Sequence, residues 1–128
     1  MTIQEAIRLV DKLKPNQYDA QTKRSWLSKL DGMIWKELFL THYGLTPEQV
    51  QAGFPGYDEA DMDTELLVPY PYCEDVYNYY LQSMVDRENM EIAKYNQSAA
   101  MYNNAYKSFV DYYNRTHRPI PHRSEFRI

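Results

Sequence analysis

The chain has 128 residues, a net charge of −4 and 44% hydrophobic residues, a size that fits one domain. Its one cysteine excludes an internal disulfide and a cysteine-rich zinc site. Residues 115–128 hold four arginines and one glutamate, giving +3 and leaving −7 on residues 1–114, which argues against broad binding of a phosphate backbone by the body.

Residues 2–13 are predicted to form a helix. Thr2 and Glu5 have capping-box spacing, and Ile3, Ala6, Ile7 and Val10 make its apolar stripe, with Leu13 at the edge. Pro15 stops it. Asp19 is the predicted N-cap of a second helix running to about residue 42, with Gly44 as its left-handed terminator. Leu27, Leu30, Ile34 and Leu38 form its main stripe. Trp35 and Phe39 point elsewhere, so apolar surface lies on more than one side. Gly32 interrupts this helix, either to admit a close backbone approach or as a tolerated defect costing about 1 kcal/mol.

Residues 45–71 are the least regular region. Thr46-Pro47-Glu48-Gln49 reads as a capped helix start, and Gly53 ends that helix after little more than a turn. Phe54-Pro55-Gly56-Tyr57 reads as a turn between two aromatic anchors. An acidic run at 58–65 follows. Leu66-Leu67-Val68 then forms a short extended segment closed by Pro69 and Pro71, with any strand confined there. A connection this long in a small domain is usually functional.

Residues 70–114 hold ten of the 13 tyrosines. Tyr77, Tyr80, Leu81, Met84 and Val85 recur at helical spacing, as do Ile92, Tyr95, Ala99, Tyr102, Tyr106, Phe109 and Tyr113. Helices are predicted at about 73–88 and 91–115, forming a hairpin or one kinked rod. Met101, Ala105 and Tyr112 lie about 100° from the main stripe, and Tyr79 stands similarly apart. A second apolar face places a helix between two neighbours, in this chain or another subunit. The plainer reading leaves these tyrosines partly exposed with hydroxyls in water. Asn96 and Asn103, at the stripe's border, are expected to bond across helices and fix register.

Residues 115–128 read RTHRPIPHRSEFRI. Pro119 and Pro121 forbid a helix there, while Ile120, Phe126 and Ile128 supply apolar anchors. The segment is expected to be an extended arm that orders on a partner, the alternative being a frayed end.

No constellation nominates an enzyme. Asp58, Asp61, Asp63 and Glu65 lack the spacing and central glycine of a calcium loop, so a solvated acidic loop is expected. His42, His117 and His122 show no paired ligand spacing, and Cys73 has no nominated base. No phosphate loop, nucleophile elbow or metalloprotease pattern occurs. The reading therefore assigns no catalytic, cofactor-binding or metal-ligating residue. Tyrosines interleaved with asparagines could stack bases, but such platforms sit in basic grooves and these helices are acidic. No apolar run is long enough to span a bilayer and no signal-peptide pattern is present, so synthesis in the cytoplasm is expected.

Several stretches together resemble the small head–tail connector (adaptor, neck) proteins of tailed phages and prophages. They are PNQYDAQTKRSWLSKLDG at 15–32, FPGY at 54–57, TELLVPYPY at 64–72, YLQSMVD at 80–86, MYNNAY at 101–106 and YYNRTHRP at 112–119. They cover nearly the whole chain in the same order. Arg87-Glu88-Asn89-Met90 departs from the asparagine–glycine break expected between the last two helices.

The resemblance implies an all-α virion protein of the neck, made in the bacterial host cytoplasm. It would form a homo-oligomeric ring, commonly of twelve copies, beneath the portal protein. The ring extends the DNA channel and docks a downstream stopper or tail-completion protein, with DNA present only in passage. It also implies a helical domain over 1–114 and interface roles for the loop and arm. Those residues are Phe54, Tyr57, Leu66 and Leu67 in the loop, and Arg115, Arg118, Ile120, Arg123, Phe126, Arg127 and Ile128 in the arm. The two-faced helices add Tyr79 and Tyr112. The rival reading is a soluble helical interaction or regulatory subunit without a virion role.

Overall fold

The computed structural model describes residues 1–121 and is all-α. Helix α1 (Ile3–Leu13) starts at the expected box: the Glu5 N–H donates to Thr2 Oγ1 at 3.1 Å and the Thr2 N–H to Glu5 Oε1 at 2.8 Å. Helix α2 (Ala20–Ile34) is capped by Asp19, whose carboxylate accepts from the Thr22 N–H at 2.8 Å. It does not continue as a plain α-helix towards residue 42. A π-helical turn, Trp35–Phe39, follows, closed by the Leu40 N–H on the Trp35 carbonyl at 2.9 Å. Leu38 is buried, as its place in the stripe predicts, and Phe39 stacks on Tyr113 at 4.9 Å.

Helix α3 (Pro47–Ala52) has its own capping box, Thr46 with Gln49, and ends at Gly53 with φ 73°. None of its residues is buried, so it lies on the surface. The extended segment at 66–68 does not become a strand. The described residues hold only two isolated bridges, Thr2 with Glu65 and His42 with Pro119.

Helix α4 (Cys73–Glu88) is the axis of the molecule. Nine of its sixteen residues are buried, so it must be covered on several sides. Helices α1, α2 and α5 (Ile92–Thr116) all pack on it. The core joins Ile3, Ala6, Ile7 and Val10 to Leu27, Leu30 and Ile34, and to Val76, Tyr77, Leu81 and Val85.

Helices α4 and α5 form a hairpin, which settles the choice between hairpin and rod. Tyr80 faces Tyr102 at 5.4 Å and Tyr72 faces Tyr112 at 5.0 Å, so the two run antiparallel. The break is a Schellman turn. The Met90 N–H bonds the Arg87 carbonyl and the Glu91 N–H bonds the Asp86 carbonyl, each at 3.0 Å. Met90 itself takes the left-handed position, φ 58°, that glycine usually fills.

Asn96 and Asn103 do not fix the hairpin register, for both are exposed. Ser98 does so instead, donating to buried Asp86 at 2.8 Å. Lys14 at the end of α1 clasps the same carboxylate at 2.7 and 2.8 Å.

Candidate interaction surfaces

The stretch at 15–32 works as a bracket between helices. Lys23, 2% exposed, reaches Asp11 at 2.6 Å and the Tyr18 carbonyl at 2.7 Å. The Tyr18 hydroxyl donates to Asn89 Oδ1 at 2.7 Å, tying the α1–α2 connection to the α4–α5 turn. Gly32 lies under the Phe54 ring. A Cβ built there would stand 3.7 Å from that ring, ordinary contact distance, so the site tolerates alanine.

The same stretch ends near Asp31, the hub of the irregular loop. Asp31 is fully buried on α2. It accepts from the hydroxyls of Tyr57 and Tyr77 (2.7 Å for Tyr77) and from the Leu67 N–H at 2.9 Å. The Tyr77 hydroxyl in turn accepts from the Val68 N–H at 2.8 Å. Burial pushes the Asp31 carboxyl above its ordinary range, against the pull of its three donors. Burial, and then the adjoining Asp31 charge, push both tyrosines up. Gly56, with φ 79°, makes the turn that brings the Tyr57 N–H to Ser28 Oγ at 3.0 Å.

This geometry corrects part of the expected interface. Tyr57 and Leu66 are 3% and 6% exposed and belong to the core of the single chain. Their side chains hold the loop down. Phe54 is half-buried between Trp35 (6.5 Å) and Tyr57 (5.1 Å), and Leu67 is half-buried. The loop's exposed surface is acidic over 58–65, with Asp58, Glu59, Asp61, Asp63 and Glu65 outward, and carries exposed Tyr70 at its end. Arg24 holds the acidic run from behind, bonding the carbonyls of Asp58 and Ala60 at 3.1 and 3.0 Å.

On α5 the aromatic stripe is used within the chain. Tyr102, Tyr106, Phe109 and Tyr113 follow one another at centroid spacings of 5.8, 6.5 and 5.9 Å. Burial raises the Tyr102 and Tyr106 hydroxyls above their ordinary value. Tyr112 and Ala105, expected on a second face, are half-buried and pack against the core, while Met101 is 42% exposed. Tyr79 is half-buried beside Met101 in a groove that Lys14, Lys94 and Gln97 also line.

The arm begins later than expected. Helix α5 runs to Thr116, so Arg115 is an exposed helical residue. Beyond it the chain folds back on its own body. The Tyr43 N–H bonds the Arg118 carbonyl and the Ile120 N–H bonds the Thr41 carbonyl, each at 2.8 Å. His117 stacks on Tyr113 at 3.9 Å, and the Arg118 guanidinium lies 5.1 Å from the Tyr43 ring centroid. Gly44 makes room for this clasp. Its φ is 133°, and a Cβ there would stand 2.8 Å from His117 Cδ2. Beneath the clasp, buried His42 bonds the Leu38 carbonyl through Nδ1 at 2.7 Å, and its Nε2 lies 2.6 Å from the Asn114 side-chain amide. Arg118 and Ile120 remain exposed. Arg123, Phe126, Arg127 and Ile128 lie outside the described residues.

One surface feature escaped the sequence reading. Met90 and Ile92, at the hairpin tip, are 84% and 75% exposed. They border a hollow of about 90 Å³ completed by Asp86, Arg87, Glu91 and Tyr95. The available signal was an apolar residue on each side of Glu91 where a polar helix break was expected.

Cys73 is buried, and among the described residues no group of three His, Cys, Asp or Glu side chains is placed to hold a metal ion. No described helix is long and apolar enough to cross a membrane. No family model, curated protein or solved structure matches the chain.

Proposed function

We propose that the chain is a structural protein of the phage neck. Copies of it form a ring beneath the portal protein, extend the DNA channel and dock the next neck or tail component. The observation that carries this reading is the outer face of α5. The helix has 25 residues, a length of about 37 Å, yet its own chain buries only Ser98, Phe109 and Tyr113. Residues 95–106 carry no charged side chain. The exposed part of that stretch is Asn96, Gln97, Ala100, Met101, Asn103 and Asn104. Depletion of charge across several turns of an exposed helix suits a face covered by a neighbouring subunit. The order of connector-like stretches along the chain supports the same assignment.

The test is to mix the protein with the portal protein from the same genome and image the product. Rings seated on the portal are expected. Ala100→Glu with Asn104→Glu should stop ring formation while leaving the folded monomer within about 0.5 kcal/mol of the parent, because both positions are exposed. A protein that ignores the portal is what the regulatory-subunit reading expects, and it overturns the neck assignment.

A further inference from the structure

The hairpin tip and the arm are at opposite ends of one helix, and each has what the other lacks. The tip offers a hollow of about 90 Å³ between Met90, Ile92 and Tyr95, room for one apolar side chain. Asp86, Arg87 and Glu91 complete its rim, Glu91 using Oε2 in a surface ion pair with Lys94 at 2.8 Å. Residues 122–128 offer Phe126 and Ile128 as apolar side chains, with Arg123 and Arg127 interleaved.

The arm of a copy does not reach its own tip. Ile120 is pinned to Thr41, beside His42 and hence Asn114. From Asn114 to Tyr95 the helix rises about 28 Å. Five extended residues from Pro121 to Phe126 span at most about 18 Å. The nearer groove beside Tyr79 and Met101 is lined mostly by polar side chains, Lys14, Gln82, Lys94, Gln97 and Ser98, which suits an apolar anchor poorly.

We infer that residues 122–128 of one copy dock on the 86–95 hairpin tip of a second copy, Phe126 entering the hollow and an arginine pairing with Glu91. A contact between two different patches is heterologous: it links copies head to tail and closes only if the rotation between them allows. The inference deepens the ring reading by naming one seam, and rests on it only for closure. The clasp at 117–120 fixes the root of the arm, which lowers the freedom lost when the segment beyond it docks.

The experiment titrates a peptide of residues 119–128 into the full chain, followed by amide and methyl resonances. Saturable shifts are expected at Met90, Ile92 and Tyr95. Phe126→Ala in the peptide should weaken binding at least tenfold, and Met90→Gly with Ile92→Ser in the protein should abolish it. Both tip residues are mostly exposed, so that variant keeps its fold. Mixing the tip variant with a chain lacking residues 122–128 provides a second measurement. Neither should link to its own kind through the arm, and together they should give a one-to-one pair by this contact. Shifts confined to the Tyr79 groove or to 41–43, no saturable binding, or an unaffected tip variant would overturn the inference. Portal binding is scored separately. A wild-type chain that ignores the portal fails the neck reading while leaving the peptide result intact.

Discussion

The loop at 54–71 and the arm root at 117–121 look alike as sequence. Both are irregular, rich in proline and punctuated by apolar residues. The chain treats them oppositely. The loop is riveted through Asp31, which gathers two hydroxyls and a backbone N–H in a site without solvent, and Tyr57, Leu66 and Val68 are buried around it. The arm root is held by two backbone bonds, one ring stacking and one guanidinium–ring contact. Irregular backbone therefore says little about where a segment docks. A buried acceptor with several donors makes it part of the domain, while surface bonds leave it a base for something further out.

The largest expected effect breaks that contrast from the loop side. Asp31→Ala removes the acceptor of three buried donors and leaves a cavity. A loss of about 4 kcal/mol is expected in urea unfolding. If the loss is near zero, the hub does not hold the loop.

The pH dependence sharpens the point. Burial raises the folded pKa of Asp31 above its ordinary 3.8. The folded state therefore keeps this proton longer than the unfolded chain. The group's contribution is fully present below about pH 4 and is lost as pH rises through the folded value. The stability of the parent minus that of Asp31→Asn should fall with pH in that window. Glu5 and Asp19, whose cap bonds lower their pKa values, titrate with the opposite sign. Both are common to the two proteins and cancel in the difference.

Tyr77→Phe is the next step down. It takes one donor from Asp31 and leaves the Val68 N–H without its acceptor, for an expected cost of about 2 kcal/mol by the same measurement.

Periodicity made the helices readable from sequence because most of each stripe is covered by another helix, exposed Ile92 being the exception. Thr2, Asp19 and Thr46 were readable because a cap needs only residues a few positions apart. Asp31 was not, because its partners are 26, 36 and 46 residues away and nothing local distinguishes it from a solvated helix aspartate. The π-turn was missed for a related reason: the Trp35–Phe39 spacing fits an α-helix equally well. Of the expected interface, Tyr57 and Leu66 lie in the core of the single chain, and burial in a domain and burial at an interface select the same residues.

Gly44→Ala tests the arm side. It forces a residue with a Cβ into φ 133° and into the His117 ring. A cost of about 1–2 kcal/mol is expected. Hydrogen exchange should quicken at the Tyr43 and Ile120 amides and stay slow at Leu67 and Val68. Faster exchange at all four would mean that arm root and loop open as one unit, erasing the contrast.

The smallest expected effect is a gain. Met90 closes the Schellman turn with φ 58°, where its Cβ crowds the backbone, and its side chain is 84% exposed and so buries little. Glycine meets no such penalty there, although it adds freedom to the unfolded chain. Met90→Gly should therefore stabilise the monomer, by about 0.5–1 kcal/mol in urea unfolding. A residue that costs the monomer stability and is nevertheless apolar and exposed fits a position used by something outside the monomer. The same substitution should weaken binding of the 119–128 peptide. Stability gained with peptide binding unchanged would make Met90 a mere turn residue and move the contact to Ile92 and Tyr95. Stability lost would mean that Met90 packs against the hairpin more than its exposure indicates.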